Sequence, residues 1–441
     1  MAAAGLGLWG LDRRHSMWRD ESVSYQVAHR SVGEIVRLLG HVDAVHGLYY
    51  LLLRAVFAAW DGGLWALRAP SVAGTALAAA GVGALARRLA GPGPGARAAG
   101  RAGVLAGVGY AVLPPVQGYA QEGRSYALVA AAVVWATYAL VARRWGLYAA
   151  LLLLACWLHV FAGLALLAHA VPAGREAGWR RAAAVVVAGA APLALLAAGQ
   201  AGAQLGWLGR PGRQDWLAYA TAVGAGLWLA RGAAPRTVRI ALPLLALPSG
   251  LLITVSELRP WYVDRYVLFC LAGLALLVRD RRVLAGLVVL TLPWTLWLRT
   301  PESRKDDALA VAGAVRALAR PGDAVLFLPA RRREWLLSSP AVYAGLRDLA
   351  LDRPPAASGT LQGTELPAGR VRELLLDAPV ARVVVLLDPP GQPRDLDLAE
   401  SVKRQTLTAR FDLCVLRPVH GAQVALFAAP GGCPGAPPQD R

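Results

Sequence analysis

The chain has 441 residues, 56% of them hydrophobic, with a mean hydropathy of +0.44 and a net charge of +18. Apolar runs of Ala, Leu, Val and Gly reach the ~20 residues needed to cross a bilayer, which excludes a wholly soluble protein and marks an integral membrane protein. The positive charge does not mark a nucleic-acid binder, because the arginines fall in short clusters between apolar runs instead of one basic stripe.

The chain opens on "MAAAGLGLWGL", which is too short to span and lacks the basic flank and cleavage site of a signal peptide. It is either an incomplete first helix or a short stub. Then comes "WRDESVSYQVA", which sets Asp20 and Glu21 side by side, and "VDAVHGLYYLLLRAVFAAW", which sets Asp43 and His46 beside Tyr49 and Tyr50. The apolar run that follows His46 is short for a span and reads as a juxtamembrane helix, so residues 12–65 form a first external loop with juxtamembrane helices.

Arginine clusters mark cytoplasmic loops and contacts with lipid headgroups. They are Arg87, Arg88, Arg97 and Arg101; Arg143 and Arg144; Arg175, Arg180 and Arg181; Arg231, Arg236 and Arg239; and Arg279, Arg281 and Arg282. The segments between them must leave and return, which predicts external turns near residues 118–125, 159, 200–215 and 257–265. The long run "GLYAALLLLACWLHVFAGLALLAHAVPAG" is thus expected to be a hairpin turning at His159. The fold class is then a polytopic α-helical membrane protein of about eleven hydrophobic segments, over residues 1–300, with a small C-terminal α/β domain.

This topology places Asp20, Glu21, Asp43, His46, Glu122, Arg124, His159, Asp264 and Arg265 on the outer side. Any one of them equally ends a helix in the headgroup region. Together they indicate a site, because ionisable groups beside spans are costly unless paired, hydrated or used. A carboxylate can deprotonate an attacking hydroxyl, while an Arg fork holds a phosphate leaving group. Arg124 and Arg265 are the candidates for that phosphate, with Asp264 expected to orient Arg265. His159 either orients the sugar or caps its turn. Trp18, Tyr49 and Tyr50 either stack on substrate or belong to an interfacial aromatic belt.

The tail from residue 301 alternates an amphipathic helix "DALAVAGAVRALA", a strand "AVLFLPA", a helix around "REWLLSSPAVYAGL", a strand "ARVVVLLDPP", a helix near "AESVKRQTL" and a terminal pair "FDLCVLRPV" and "AQVALFAAP". It reads as an α/β domain over 301–430 that holds the acceptor or serves only as structure, and residues 431–441 read as disordered. Cys156 and Cys270 lie in apolar runs; Cys414 and Cys433 lie in the tail, their pairing open and their spacing unlike a metal site. No P-loop or HExxH sequence is present, which argues against a soluble nucleotide donor.

In order and spacing, "WRDESVSYQVA", "VDAVHGLYYLLLRAVFAAWDGGLWALRAPS", "YAQEGRSYAL" and "WYVDRYVLFCLAGLALL" resemble the polytopic glycosyltransferases of the GT-C superfamily, over roughly residues 8–300. The branch includes protein O-mannosyltransferases and the lipid A aminoarabinose transferase, and the tail is similar to that of actinobacterial mannosyltransferase-like members. "HGLYY" and "RAPS" stand where "PPLYYW" and "RLPS" are usual.

The resemblance implies a polyprenyl-phosphate sugar donor, inversion at the anomeric carbon, and a protein, glycan or lipid acceptor outside the cytoplasm. It implies a multi-pass plasma-membrane protein moving mannose or a related hexose or pentose. Asp20 matches the first-loop carboxylate that serves as base, with Glu21 as its neighbour; Glu122 occupies the place of a second acid, where other members have Asp. Asp43 and His46 lie where other members have prolines or metal-contacting groups; no cofactor or metal is assigned. The competing readings are a sugar or lipid transporter or flippase, which should show repeats and midplane charges, and a non-catalytic scaffold of envelope assembly.

Overall fold

The computed structural model describes residues 1–91, 95–206, 208–377, 380–395 and 397–433. Its compact units do not follow chain order: Met1–Leu11 and Leu39–Arg299 form a helical unit, and Asp12–Leu38 and Thr300–Arg441 form a mixed unit. Of the end expected to be disordered, residues 434–441 lie outside the described residues.

Three described helices of the helical unit, Leu64–Leu89, Ala177–Leu205 and Pro235–Val255, are long and apolar enough to cross a membrane, where the sequence led us to expect about eleven hydrophobic segments. The apolar helices Tyr126–Val141 and Trp145–Leu158 are shorter. Leu64–Leu89 packs on both Ala96–Ala111 and Tyr126–Val141. Small residues permit the approach. A Cβ added at Gly107 would lie 2.9 Å from the Ala79 carbonyl, and one at Gly83 would lie 2.9 Å from the Gly103 carbonyl. Small residues spaced four apart on both helices thus let the backbones meet, the packing that lipid favours because apolar burial gives no drive there.

The chain reverses at His159. Helix Trp145–Leu158 ends where His159 turns extended, and a 3-10 turn, Val160–Leu164, leads into helix Ala165–Ala173. Tyr148 and His169 would stand roughly 30 Å apart on one straight helix. Their rings lie 5.5 Å apart, with the Tyr148 hydroxyl 3.1 Å from His169 Nδ1.

The mixed unit is built on strands β1 (Ala324–Leu328), β2 (Arg347–Asp348), β3 (Leu351–Arg353), β4 (Thr364–Glu365), β5 (Arg382–Leu387), β6 (Asp412–Val419) and β7 (Ala422–Ala428). Five form one sheet, ordered β2-β1-β5-β7-β6, with β1 parallel to β2 and β5 and the last pairings antiparallel. The run "AVLFL" has no polar residue because both its faces are covered: Val325 and Phe327 pack towards helix Ala308–Leu318, and Leu326 and Leu328 towards helices Ala368–Asp377 and Leu398–Arg410. β6 is the longer of the two edge strands and carries Arg417 and Pro418, which resist pairing with another chain. A disulfide joins Cys414 of β6 to Cys433 beyond β7.

Where one helix was expected around "REWLLSSPAVYAGL" there are two, Arg333–Leu337 and Pro340–Tyr343, because Pro340 has no N–H to continue the first and suits the start of the second. Fully buried Arg333 bonds Asp348 at 2.6 Å and Glu365 at 2.8 Å, and buried Lys403 bonds the same Glu365 at 2.7 Å, which ties the β3–β4 pair to the sheet.

Candidate functional site

In the helical unit the site grows from a turn. Asp43 takes a left-handed conformation, φ 63°, which Asp tolerates better than most residues, and a 3-10 turn carries the chain into helix Gly47–Ala59. Gln200 secures the turn, accepting from the Ala44 amide at 3.0 Å and donating to the Leu39 carbonyl at 2.8 Å. One helical turn on, the buried Tyr50 hydroxyl donates to the Asp43 carboxylate. Arg124 Nη1 donates to the same hydroxyl at 3.1 Å and stands 3.9 Å from Asp43 Oδ2.

Arg124 comes from the irregular stretch 121–125 between helices Pro114–Ala120 and Tyr126–Val141. The Ser71 hydroxyl fixes it, lying 2.6 Å from the Glu122 carbonyl and 2.9 Å from that of Arg124. Gly123 lets it sit close: an added Cβ would lie 2.6 Å from Leu67 Cγ. The "RAPS" and "QEGRS" segments are therefore one construction. Glu122 itself is fully buried.

Next to this lies a cluster of rings. His159 is 5.7 Å from His46, 5.6 Å from Tyr126 and 4.5 Å from Tyr266, centroid to centroid. Arg265 Nε donates to the Tyr126 hydroxyl at 3.1 Å, its guanidinium 5.6 and 5.7 Å from the Tyr126 and Tyr266 rings, within cation–π range. Asp264 accepts from the Tyr119 hydroxyl at 3.0 Å. Tyr49 is fully buried.

Asp20 and Glu21 belong to the mixed unit, in the first turn of helix Arg19–Ala28, where the helix dipole favours negative charge. Glu21 is fully buried. Arg19 Nε pairs with Glu334 at 3.2 Å, and the Ser22 hydroxyl donates to the Glu334 carbonyl at 2.8 Å. The Arg19 amide donates to Asp306 at 2.7 Å, and the Met17 amide to Asp307 at 3.1 Å. Burial, helped by the charge of Asp20 and opposed by the Arg19 amide, Arg332 and Arg19, pushes the Asp306 carboxyl up to about 6. A cavity of about 170 Å³, lined in part by Leu328, Leu387, Asp388, Arg404 and Gln423, opens beyond the carboxyl ends of β1 and β5, where open α/β sheets bind ligands.

Thus the helical unit brings Asp43, His46, Arg124, His159 and Arg265 together, and Asp20 and Glu21 sit in the mixed unit. Sequence reasoning missed Tyr126, Tyr266, Ser71, Asp306, Asp307 and Glu334, and weighed Tyr50 only as a stacking ring. Asp307 alone left a local signal, an Asp directly before an amphipathic run, which is a helix N-cap. Among the described residues no group of three or more His, Cys, Asp or Glu is arranged to hold a metal ion.

No family model matches the sequence, and no curated protein matches it. Among solved structures, the fold is similar to the crystal structure of ArnT from Cupriavidus metallidurans bound to undecaprenyl phosphate, with a TM-score of 0.61 at 12% identity over 96% of each chain. The crystal structure of that ArnT in the apo state aligns over 96% of each chain at 14% identity, with a TM-score of 0.49. The first likeness shows a shared fold.

Proposed function

We propose that this chain is a membrane glycosyltransferase that moves a hexose or pentose from a polyprenyl-phosphate donor to an acceptor outside the cytoplasm. The observation that carries the reading is the likeness of fold, along 96% of both chains, to an ArnT structure that holds undecaprenyl phosphate. The motif order from Asp20 to Arg265 supports it independently, since it resembles the same class of transferase. The arginine clusters support a multi-pass plasma-membrane protein with the C-terminal domain outside.

In this mechanism Asp20 takes the proton of the acceptor hydroxyl as its oxygen attacks the anomeric carbon. The bond from that carbon to the phosphate oxygen breaks, its electron pair leaves with the polyprenyl phosphate, and the anomeric centre inverts. Arg124 and Arg265 stabilise the charge gathering on the phosphate. Tyr50 and Tyr126 orient those guanidinium groups through hydrogen bonds of 3.1 Å each. Glu21 backs Asp20 and Glu122 backs Arg124, each from a buried position in its own unit, and Asp43, His46 and His159 contact the sugar. The cavity of the mixed unit holds part of the acceptor.

The test is radiolabelled sugar supplied on undecaprenyl phosphate to membranes that contain the chain. Transfer of label out of the donor lipid, lost by roughly 10²- to 10⁴-fold in Asp20→Asn, is the expected result. Movement of intact donor across the membrane without cleavage would instead make the chain a flippase, and an inert donor would make it a scaffold.

A further inference from the structure

Two consecutive acids, Asp306 and Asp307, close on the backbone that leads into Asp20. The Met17 amide donates to Asp307 Oδ1 at 3.1 Å, and the Ala308 amide returns a bond to the Met17 carbonyl at 2.6 Å. The same Asp307 oxygen caps helix Ala308–Leu318, accepting from the Leu309 and Ala310 amides at 3.0 and 3.2 Å. Asp306 Oδ1 accepts from the Arg19 amide at 2.7 Å, one peptide unit before Asp20.

The β6–β7 turn backs the acids. The Asp307 amide donates to the His420 carbonyl at 3.1 Å, and Gly421, at φ 77°, lies so close that an added Cβ would come within 2.3 Å of Asp306 Cβ. Residues 17–19, a helix start and a hairpin turn therefore meet at Asp306 and Asp307, the first two through the acid side chains and the turn through the Asp307 backbone.

We propose that Asp306 and Asp307 form a clasp that positions Asp20, with Asp306 tuning Asp20 through its own charge. The proposal rests on the reading of Asp20 as the base; Asp306 is a positioning residue that acts through it. Hydrogen-bond geometry fixes the place of Asp20, because the Arg19 amide and the Met17 peptide are both held. Charge fixes its behaviour. Among the ionisable groups that act on Asp306 are Asp20, Arg332 and Arg19, with Lys305, Asp307 and His420 as neighbours, and Arg19 is itself held by Glu334. Two neighbouring carboxylates raise each other's proton affinity. With Asp306 pushed up to about 6, it is ionised at neutral pH and keeps Asp20 a better base. Below that pH it is neutral and the support is withdrawn.

The experiment follows ¹³C-carboxyl aspartate signals of the full chain in lipid nanodiscs through a pH titration, with Asp306 assigned by its loss in Asp306→Asn. In Asp20→Asn, which keeps the shape of the side chain and removes its charge, the proton affinity of Asp306 is expected to fall, on the order of three- to tenfold. Asp20→Glu should restore much of it. An Asp306 midpoint that does not move in Asp20→Asn overturns the proposal.

Coupling is reciprocal, so ionised Asp306 raises the proton affinity of ionised Asp20 at neutral pH by the same factor. If Asp306→Asn does not fold, Asp306→Glu supplies the assignment. The titration makes no use of activity. Full sugar transfer by Asp20→Asn would remove Asp20 as the base while leaving the coupling intact, so the two failures are distinct.

Discussion

Arg124 and Asp43 meet through Tyr50, whose hydroxyl donates to the carboxylate and accepts from the guanidinium at 3.1 Å. Direct approach of the two charges is longer, at 3.9 Å. The phenol therefore sets how far the guanidinium stands from the acid. Tyr50→Phe keeps the ring and deletes the bridge, leaving two largely buried charged groups with one fewer partner each. The expected cost is roughly 1.5–3 kcal/mol, seen as a lowered thermal midpoint of the purified chain. A rise in apparent KM for the lipid donor should accompany it. An unchanged midpoint and KM would make the bridge incidental.

The topology is tested by reporters active only outside the cytoplasm. Fused after Arg441 the reporter should be active, and after Arg144, in a loop with Arg143, it should be silent. The opposite pattern would reverse the orientation and place the proposed chemistry on the wrong side for an external acceptor.

Much of this was legible in local pattern. His159 stood out as a polar residue midway through an apolar run flanked by arginines, and the chain reverses there. The strands β1, β5, β6 and β7 announced themselves by β-branched and aromatic runs between turn signals. β2, β3 and β4 did not, since two or three residues are too few to show alternation. Helix Ala368–Asp377 also escaped the reading. Nor does a sequence period name a partner: nothing in "WRDES" points to Asp306 and Glu334, 287 and 315 residues from Arg19. Tyr49 and Tyr50 are adjacent, yet they point about 100° apart on a helix, and only the turn at Asp43 selects Tyr50 for the bridge.

Asp306 also makes a prediction about stability. Its carboxyl is raised from 3.8 to about 6 in the folded chain, chiefly by burial. A carboxyl raised on folding favours the folded state while protonated, and that contribution is lost as the pH rises from about 4 through 6. Above pH 6 the ionised form costs up to about 3 kcal/mol. Asp306→Asn removes this cost and should raise the thermal midpoint at pH 7.5 relative to wild type, with little gain at pH 4. Equal effects at both pH values would show that the charge of Asp306 carries no penalty. A variant that is more stable at neutral pH yet transfers sugar more slowly would be the trade expected where charge is kept for function.

The last prediction separates donor binding from chemistry at Arg265. Its Nε is spent on the Tyr126 hydroxyl at 3.1 Å, and the guanidinium lies over the Tyr126 and Tyr266 rings, so these aromatics help set the plane of the fork. If this fork holds the donor phosphate, Lys keeps a point charge but loses both the Nε contact and the two parallel bonds to phosphate oxygens. Arg265→Lys should therefore retain part of the activity, and Arg265→Gln less. Tyr126→Phe, which frees the fork without touching its charge, should fall between wild type and Arg265→Lys. The expected signature in all three is a raised apparent KM for the lipid donor. A fall in kcat should join it where the contact strengthens as charge moves onto the leaving phosphate. Should Arg265→Gln leave donor saturation and turnover unchanged, Arg265 anchors the chain to lipid headgroups, and the phosphate is held by Arg124 instead.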